Sequence, residues 1–168
     1  MLASRAYRLQ SRAMRIALFE PEIAGNVGAI LRLGACLGTP IDLIEPLGFT
    51  WDDRRVRRAA MDYIDHVEVS RHQDFAAFKA SIGTRRLVLF TTKASQSAYE
   101  FAFRGDDVLL FGKESAGVPQ TVAEDCQARL RLPMRPQVRS MNLAMTAALA
   151  LGEALRQTGA LPELPVEG

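Results

Sequence analysis

LPMRPQVRSMNLAM, residues 132–145, joins two kinds of secondary structure through a loop too specialised to be a plain turn. Upstream, ARLRL (128–132) alternates like a strand, and downstream an Ala/Leu/Met-rich segment from about Ser140 to Gln157 reads as a long helix. Pro133 and Pro136 stiffen the connection and remove two backbone donors, which leaves carbonyls free to face a ligand. Ser140 stands where a helix cap is expected, with Asn142 in the first turn. A capped helix behind a proline loop accounts for Ser140. It does not account for Arg135, Arg139 or Asn142.

Working outward, strand and helix signals alternate along the chain. RIALF (15–19), IDLIE (41–45), HVEVS (66–70), RLVLFTT (86–92) and DVLLFG (107–112) read as strands. NVGAILRLGACLG (26–38), the basic WDDRRVRRAA (51–60), DFAAFKAS (74–81) and a short segment from Val118 to Asp125 read as helices. About six strands alternating with helices predict one α/β domain, a mostly parallel sheet with helices on both faces. The domain is expected over residues 14–160, with a disordered N-terminal extension (1–13) and a C-terminal tail (161–168). The first fourteen residues carry three arginines and no acid, and Met14 offers a second start.

Composition sets the outer limits. The 168 residues are 48% hydrophobic and 24% charged, ordinary for one globular domain. The longest apolar run, around Ala147–Leu151, is too short to span a bilayer, so a cytoplasmic protein with no membrane partner is expected. Cys36 and Cys126 stand ninety positions apart without ligand spacing, and read as small buried apolar residues with no metal site. The net charge is only +2, yet Arg54, Arg55, Arg57 and Arg58 crowd into five positions. That cluster fits a solvated helix face and a nucleic-acid patch equally well.

Three loops following strands are rich in special residues, and in an open α/β sheet ligands bind beyond the carboxyl ends of the strands. In PEIAGNVGAILR (21–32), Asn26 is suited to begin a helix whose apolar stripe is Val27, Ile30, Leu31 and Gly34. Arg32 falls off that stripe and projects away from the core, where a surface salt bridge is its ordinary fate. A dinucleotide site needs GxGxxG and a P-loop needs GxxxxGK[ST]; neither spacing occurs. In FGKESAGVP (111–119), glycines and a proline frame Lys113, Glu114 and Ser115. The proline loop is the third. The final helix is apolar around its whole circumference, through Met141, Leu143, Met145, Leu149, Leu151 and Leu155, which predicts a homodimer through this C-terminal helix.

Taken together, EPEIAGNVGAILR, IEPLGFTWDDRRVRRAAMDY, TTKAS, FGKESAGVP and LPMRPQVRSMNLAM resemble the motif set of the SPOUT superfamily of S-adenosylmethionine-dependent RNA methyltransferases, over roughly residues 14–157. They look most like the small tRNA (cytidine/uridine) 2′-O-methyltransferases that act on the wobble nucleotide of leucine tRNA. The resemblance implies a C-terminal deep trefoil knot, a homodimer, and S-adenosyl-L-methionine as methyl donor, with S-adenosyl-L-homocysteine as product. It places cofactor contacts at Phe90, Thr91, Gly112, Leu132, Met134 and Ser140. Arg32 is carried over as the group engaging the ribose hydroxyl, with Asn26, Glu114 and Asn142 shaping the site. Arg54, Arg55, Arg57, Arg58 and Arg139 become candidates for tRNA phosphate contacts. Methyl transfer to a hydroxyl needs alignment and proton removal but no metal. A catalytically inactive RNA-binding dimer of the same fold is the second reading.

Overall fold

The computed structural model describes residues 13–165; the expected extension falls almost wholly outside this range, as do residues 166–168 of the tail. Seven strands form one sheet: β1 (Arg15–Phe19), β2 (Ile41–Ile44), β3 (Val69–His72), β4 (Leu87–Phe90), β5 (Gln96–Ser97), β6 (Val108–Phe111) and β7 (Ala128–Arg131). Their order is β3-β2-β1-β6-β4-β7-β5, and every pairing is parallel. β4 and β6, apolar throughout, and β2, apolar but for Asp42, are buried at every position, as strands covered on both faces must be.

The helices divide between the two faces. α1 (Ala24–Leu37), α2 (Asp53–Ala59) and α5 (Leu143–Thr158) cover one face, where Val27, Ile30 and Leu31, then Val56, then Ala147, Ala150 and Leu151 meet Ile16, Leu18, Leu43 and Leu109 of the sheet. α3 (Phe75–Ile82) and α4 (Gln120–Glu124) cover the other, where Phe78, Ile82 and Val122 meet Ala17, Phe19, Leu89 and Leu110. Successive strand residues thus feed opposite cores, as the pleat requires.

Buried charges support the amino-terminal half of the sheet. Asp42, 2% exposed, accepts from Arg15 Nε (2.7 Å) and approaches His72 Nε2 (2.8 Å). Asp107, fully buried, accepts from Arg86 Nε and Nη2, both at 2.7 Å. A buried carboxylate is tolerable only with such charge-assisted partners.

Several sequence expectations are corrected. The third strand runs over 69–72, because Tyr63–His66 folds as a 3-10 turn closed by Val67 N–H on Ile64 C=O. β5 is an addition: two polar residues on the sheet edge carry no hydrophobic signal. Asn26 does not open α1; that helix starts at Ala24. Ser140 does not cap α5; Asn142 does, its side-chain oxygen accepting from Ala144 N–H (2.9 Å) and Met145 N–H (3.2 Å). Cys126 is buried, and burial pushes its thiol up to about 11, but Cys36 is exposed. Nine residues past Val27, Cys36 lies about 180° around α1 from the stripe that faces the sheet. The uniformly apolar α5 also resolves into two faces. Leu151 and Leu155 belong to the chain's own core, whereas Met145 and Leu149 are 62% and 45% exposed.

Candidate active site

The loops after β1, β6, β4 and β7, four neighbouring strands, gather at the carboxyl edge of the sheet. Between the last three of these loops and the start of α5 lies a cavity of about 780 Å³. That is within the range of small-molecule sites, roughly 300–1,000 Å³. Phe90 and Thr91 end β4, Gly112 follows β6, Leu132 and Met134 follow β7, and Ser140 precedes α5; all six line the cavity. Asn26, Glu114 and Asn142 line it as well.

The glycine loop closes on itself. Lys113 and Gly117 exchange backbone hydrogen bonds (3.1 and 2.9 Å). A Cβ on Gly112 would lie 2.5 Å from the Gly117 backbone, a distance real contacts do not reach. Glycine at 112 is therefore a requirement of the loop's own closure.

This loop is fastened to the one after β1 from both sides. The Glu114 carboxylate accepts from Glu22 N–H (2.8 Å), Ile23 N–H (3.2 Å) and Asn26 Nδ2 (3.2 Å). It thereby caps α1 from ninety residues away, in place of Ile23, whose side chain offers no acceptor. In return the Glu22 carboxylate accepts from Ser115 N–H (2.8 Å) and Ser115 Oγ (2.7 Å). Those two bonds, with Lys113 nearby, hold the Glu22 carboxyl below its ordinary range. Lys113 Nζ pairs with Glu20 Oε2 at 3.0 Å.

The proline loop joins through one polar link. Asn142 Nδ2 donates to Asn26 Oδ1 (2.9 Å), so a chain Asn142–Asn26–Glu114 runs along the cavity wall, each amide fixed by its partner. Residues 133–141 make a single backbone–backbone bond among the described residues, Val138 N–H to Arg135 C=O. The remaining amides and carbonyls of this segment have to find partners in solvent or a ligand.

Arg32 stands apart. It is exposed on α1, about 9 Å along the axis from Asn26. Its guanidinium lies over the Tyr63 ring, 5.2 Å from the centroid, and donates to Met61 Sδ. It does not line the cavity. Arg54, Arg55, Arg57, Arg58 and Arg139 are all exposed; Arg57 is paired with Asp65 (3.1 Å) and Arg55 approaches Asp52 (3.9 Å). The cavity wall further contains Lys93, Arg129 and Arg131, which the sequence did not single out. Glu22 was missed too; its signal was a second acid, beside Glu20, in a loop destined to face Lys113 and Ser115. No group of three or more His, Cys, Asp or Glu side chains that could hold a metal ion occurs among the described residues.

With this geometry in place, comparison with known proteins is decisive. A family model described as the SpoU rRNA Methylase family matches residues 13–152. The chain belongs to that family. Among SpoU relatives, a tRNA (cytidine(34)-2′-O)-methyltransferase of Beijerinckia indica is 55% identical over 151 residues, 89% of this chain and 94% of the relative. A solved structure described as giving insights into the 2-OH methylation of C/U34 on tRNA superposes with a TM-score of 0.83 at 40% identity, covering 88% of this chain and 97% of its own. An AdoMet-bound rRNA methyltransferase from Sinorhizobium meliloti superposes with a TM-score of 0.76 at 26% identity, covering 86% and 56%. The SpoU cavity of the present chain suits such a nucleoside sulfonium in chemistry as well as size. Leu89, Phe111, Leu132 and Leu143 offer apolar wall for a base, and Met134, Ser140 and Met141 bring backbone with no backbone partner to the same cavity.

Proposed function

We propose that this protein is an S-adenosyl-L-methionine-dependent tRNA 2′-O-methyltransferase acting on the wobble nucleotide, cytidine or uridine 34, of leucine tRNA in the cytoplasm. The observation that carries the reading is the polar chain Asn142–Asn26–Glu114, which ties all three motif loops around one cavity. Phe90, Thr91, Gly112, Leu132, Met134 and Ser140 hold the cofactor, which when bound supplies an electrophilic methyl on a sulfonium. The interlocked loops fix the approach direction of the methyl toward the ribose hydroxyl. S-adenosyl-L-homocysteine is released.

Arg32 engages the 2′-hydroxyl. A guanidinium is a poor base, so it orients the nucleophile and pairs with RNA phosphate, and the hydroxyl proton passes by way of that phosphate to solvent as the methyl leaves the sulfonium. Arg54, Arg55, Arg57, Arg58 and Arg139 contact the tRNA backbone. Arg32 and α2 lie outside the wall of the cavity in the same chain, so tRNA spans the distance between them or a second copy of the chain presents them. The second copy docks through the exposed Met145–Leu149 stripe of α5, which supports the homodimer. Insertion of β6 between β1 and β4, and of β7 between β4 and β5, supports a trefoil knot in which the 132–142 segment passes through the loop after β4.

The test is a map of 2′-O-methylated riboses in tRNA from cells lacking the gene. Loss of the mark at nucleotide 34 of leucine tRNA, restored by the wild-type gene, is the expected result. An intact mark there, with loss at another tRNA or rRNA position, would refute the wobble assignment.

A further inference from the structure

The surroundings of Arg32 carry more than a parked surface side chain. Gly28 and Arg32 are four residues apart and share one face of α1. Ala59, the last residue of α2, seats on Gly28 so closely that a Cβ there would collide with it. The chain then turns sharply. Met61 and Asp62 adopt φ of 51° and 62°, left-handed values that non-glycine residues seldom take, in succession. Asp62 N–H bonds back to Arg57 C=O (3.0 Å), and Arg57 clamps Asp65 on the far side. Turned this way, Met61 and Tyr63 are 56% and 37% exposed, an apolar pair offered to solvent. What they cover is the Arg32 guanidinium: ring face beneath, sulfur at the edge. Backbone strain persists where the surroundings impose it, and it concentrates at functional positions.

We infer that Tyr63 and Met61 are positioning residues for Arg32, fixing its guanidinium plane and locking it to the arginine-bearing helix α2. The inference rests on the reading that Arg32 acts on the ribose hydroxyl. An arginine free to rotate would spend most of its time away from the hydroxyl; one held on an aromatic face presents its outer edge continuously. Because α2 reaches the turn through Arg57 and Ala59, tRNA phosphate bound on Arg54 and Arg58 sets the distance from the backbone of the RNA to Arg32.

The test is a double-mutant cycle on methyl transfer to a tRNA transcript, with S-adenosylhomocysteine affinity and melting temperature measured alongside. Tyr63→Leu is expected to lower kcat by about fivefold, the upper end for an exposed cation–π contact. KM for tRNA and cofactor affinity should stay within about twofold, and Tyr63→Phe should restore kcat because the ring is retained. In the Arg32→Ala background, Tyr63→Leu should have no further effect, since nothing remains to be positioned. An equal loss from Tyr63→Leu with and without Arg32, or a loss that tracks the melting temperature, would overturn the positioning role. Full activity of Arg32→Ala itself would instead bring down the reading of Arg32, and this inference with it.

Discussion

At the scale of single residues, one chain of side chains separates structural from chemical roles. Asn142 caps α5 and also holds Asn26, so Asn142→Ala should cost about 1 kcal/mol of stability, a melting point lower by roughly 2–4 °C, along with a fall in methylation. Arg32→Ala should behave differently. As an exposed change it should move stability by no more than about 0.5 kcal/mol. Cofactor affinity should hold while methylation falls about a hundredfold, the range for losing the alignment of a reacting group. Arg32→Lys should rescue little, because an ammonium lacks the planar fork. Near-wild-type turnover of the alanine variant would leave Arg32 a surface residue. Glu22 gives a pH signature. A carboxyl held below its ordinary value contributes its contact above that value and surrenders it as pH falls through the lowered pKa. S-adenosylhomocysteine affinity should therefore be level from neutral pH down to about pH 4, near the ordinary glutamate value, and drop below it. Glu22→Gln should fall short of wild type at neutral pH, as measured by calorimetry.

Among the elements, α5 and the glycine loop carry the sharpest expectations. Met145→Glu and Leu149→Glu place charge on the exposed stripe and should yield folded monomers in sedimentation. Leu151→Glu buries the charge in the core and should unfold the chain. Dimers persisting in both surface variants would move the interface elsewhere. Gly112→Ala should open the Lys113–Gly117 closure and abolish cofactor binding, with the fold of the sheet retained by circular dichroism. These elements also mark how far a sequence can be read. β1, β4 and β6 were legible because a strand covered on both faces is a nearly unbroken apolar run, and β2 because only Asp42 interrupts its run. β3 and β5 were not, because edge strands are half exposed and their register comes from a neighbour: Val69 sits opposite Ile41, Gln96 opposite Leu130. The start of α1 was misassigned at Asn26 because its support comes from another loop, whereas at α5 the local cap is Asn142, two residues beyond Ser140. What caps α1 is Glu114, about ninety residues away, and no local pattern reports a partner at that distance.

For the whole molecule, residues 90, 91, 112, 132, 134 and 140 surround one cavity because strands far apart in sequence are neighbours in the sheet. Periodicity gives strands but not their order. The set of motifs, read together, anticipated which loops meet; the reciprocal contacts of Glu22 with Ser115, and the seat of Arg32 on Tyr63, follow only from that order. The central claim is that one ribose hydroxyl, on nucleotide 34, is the acceptor. It is tested most directly by offering the purified protein S-adenosyl-L-methionine labelled in the methyl group, with leucine tRNA transcripts carrying either ribose or 2′-deoxyribose at position 34. Stoichiometric label is expected on the ribose transcript, resistant to alkaline cleavage at nucleotide 34, and none on the deoxy transcript. Equal labelling of both transcripts would contradict it.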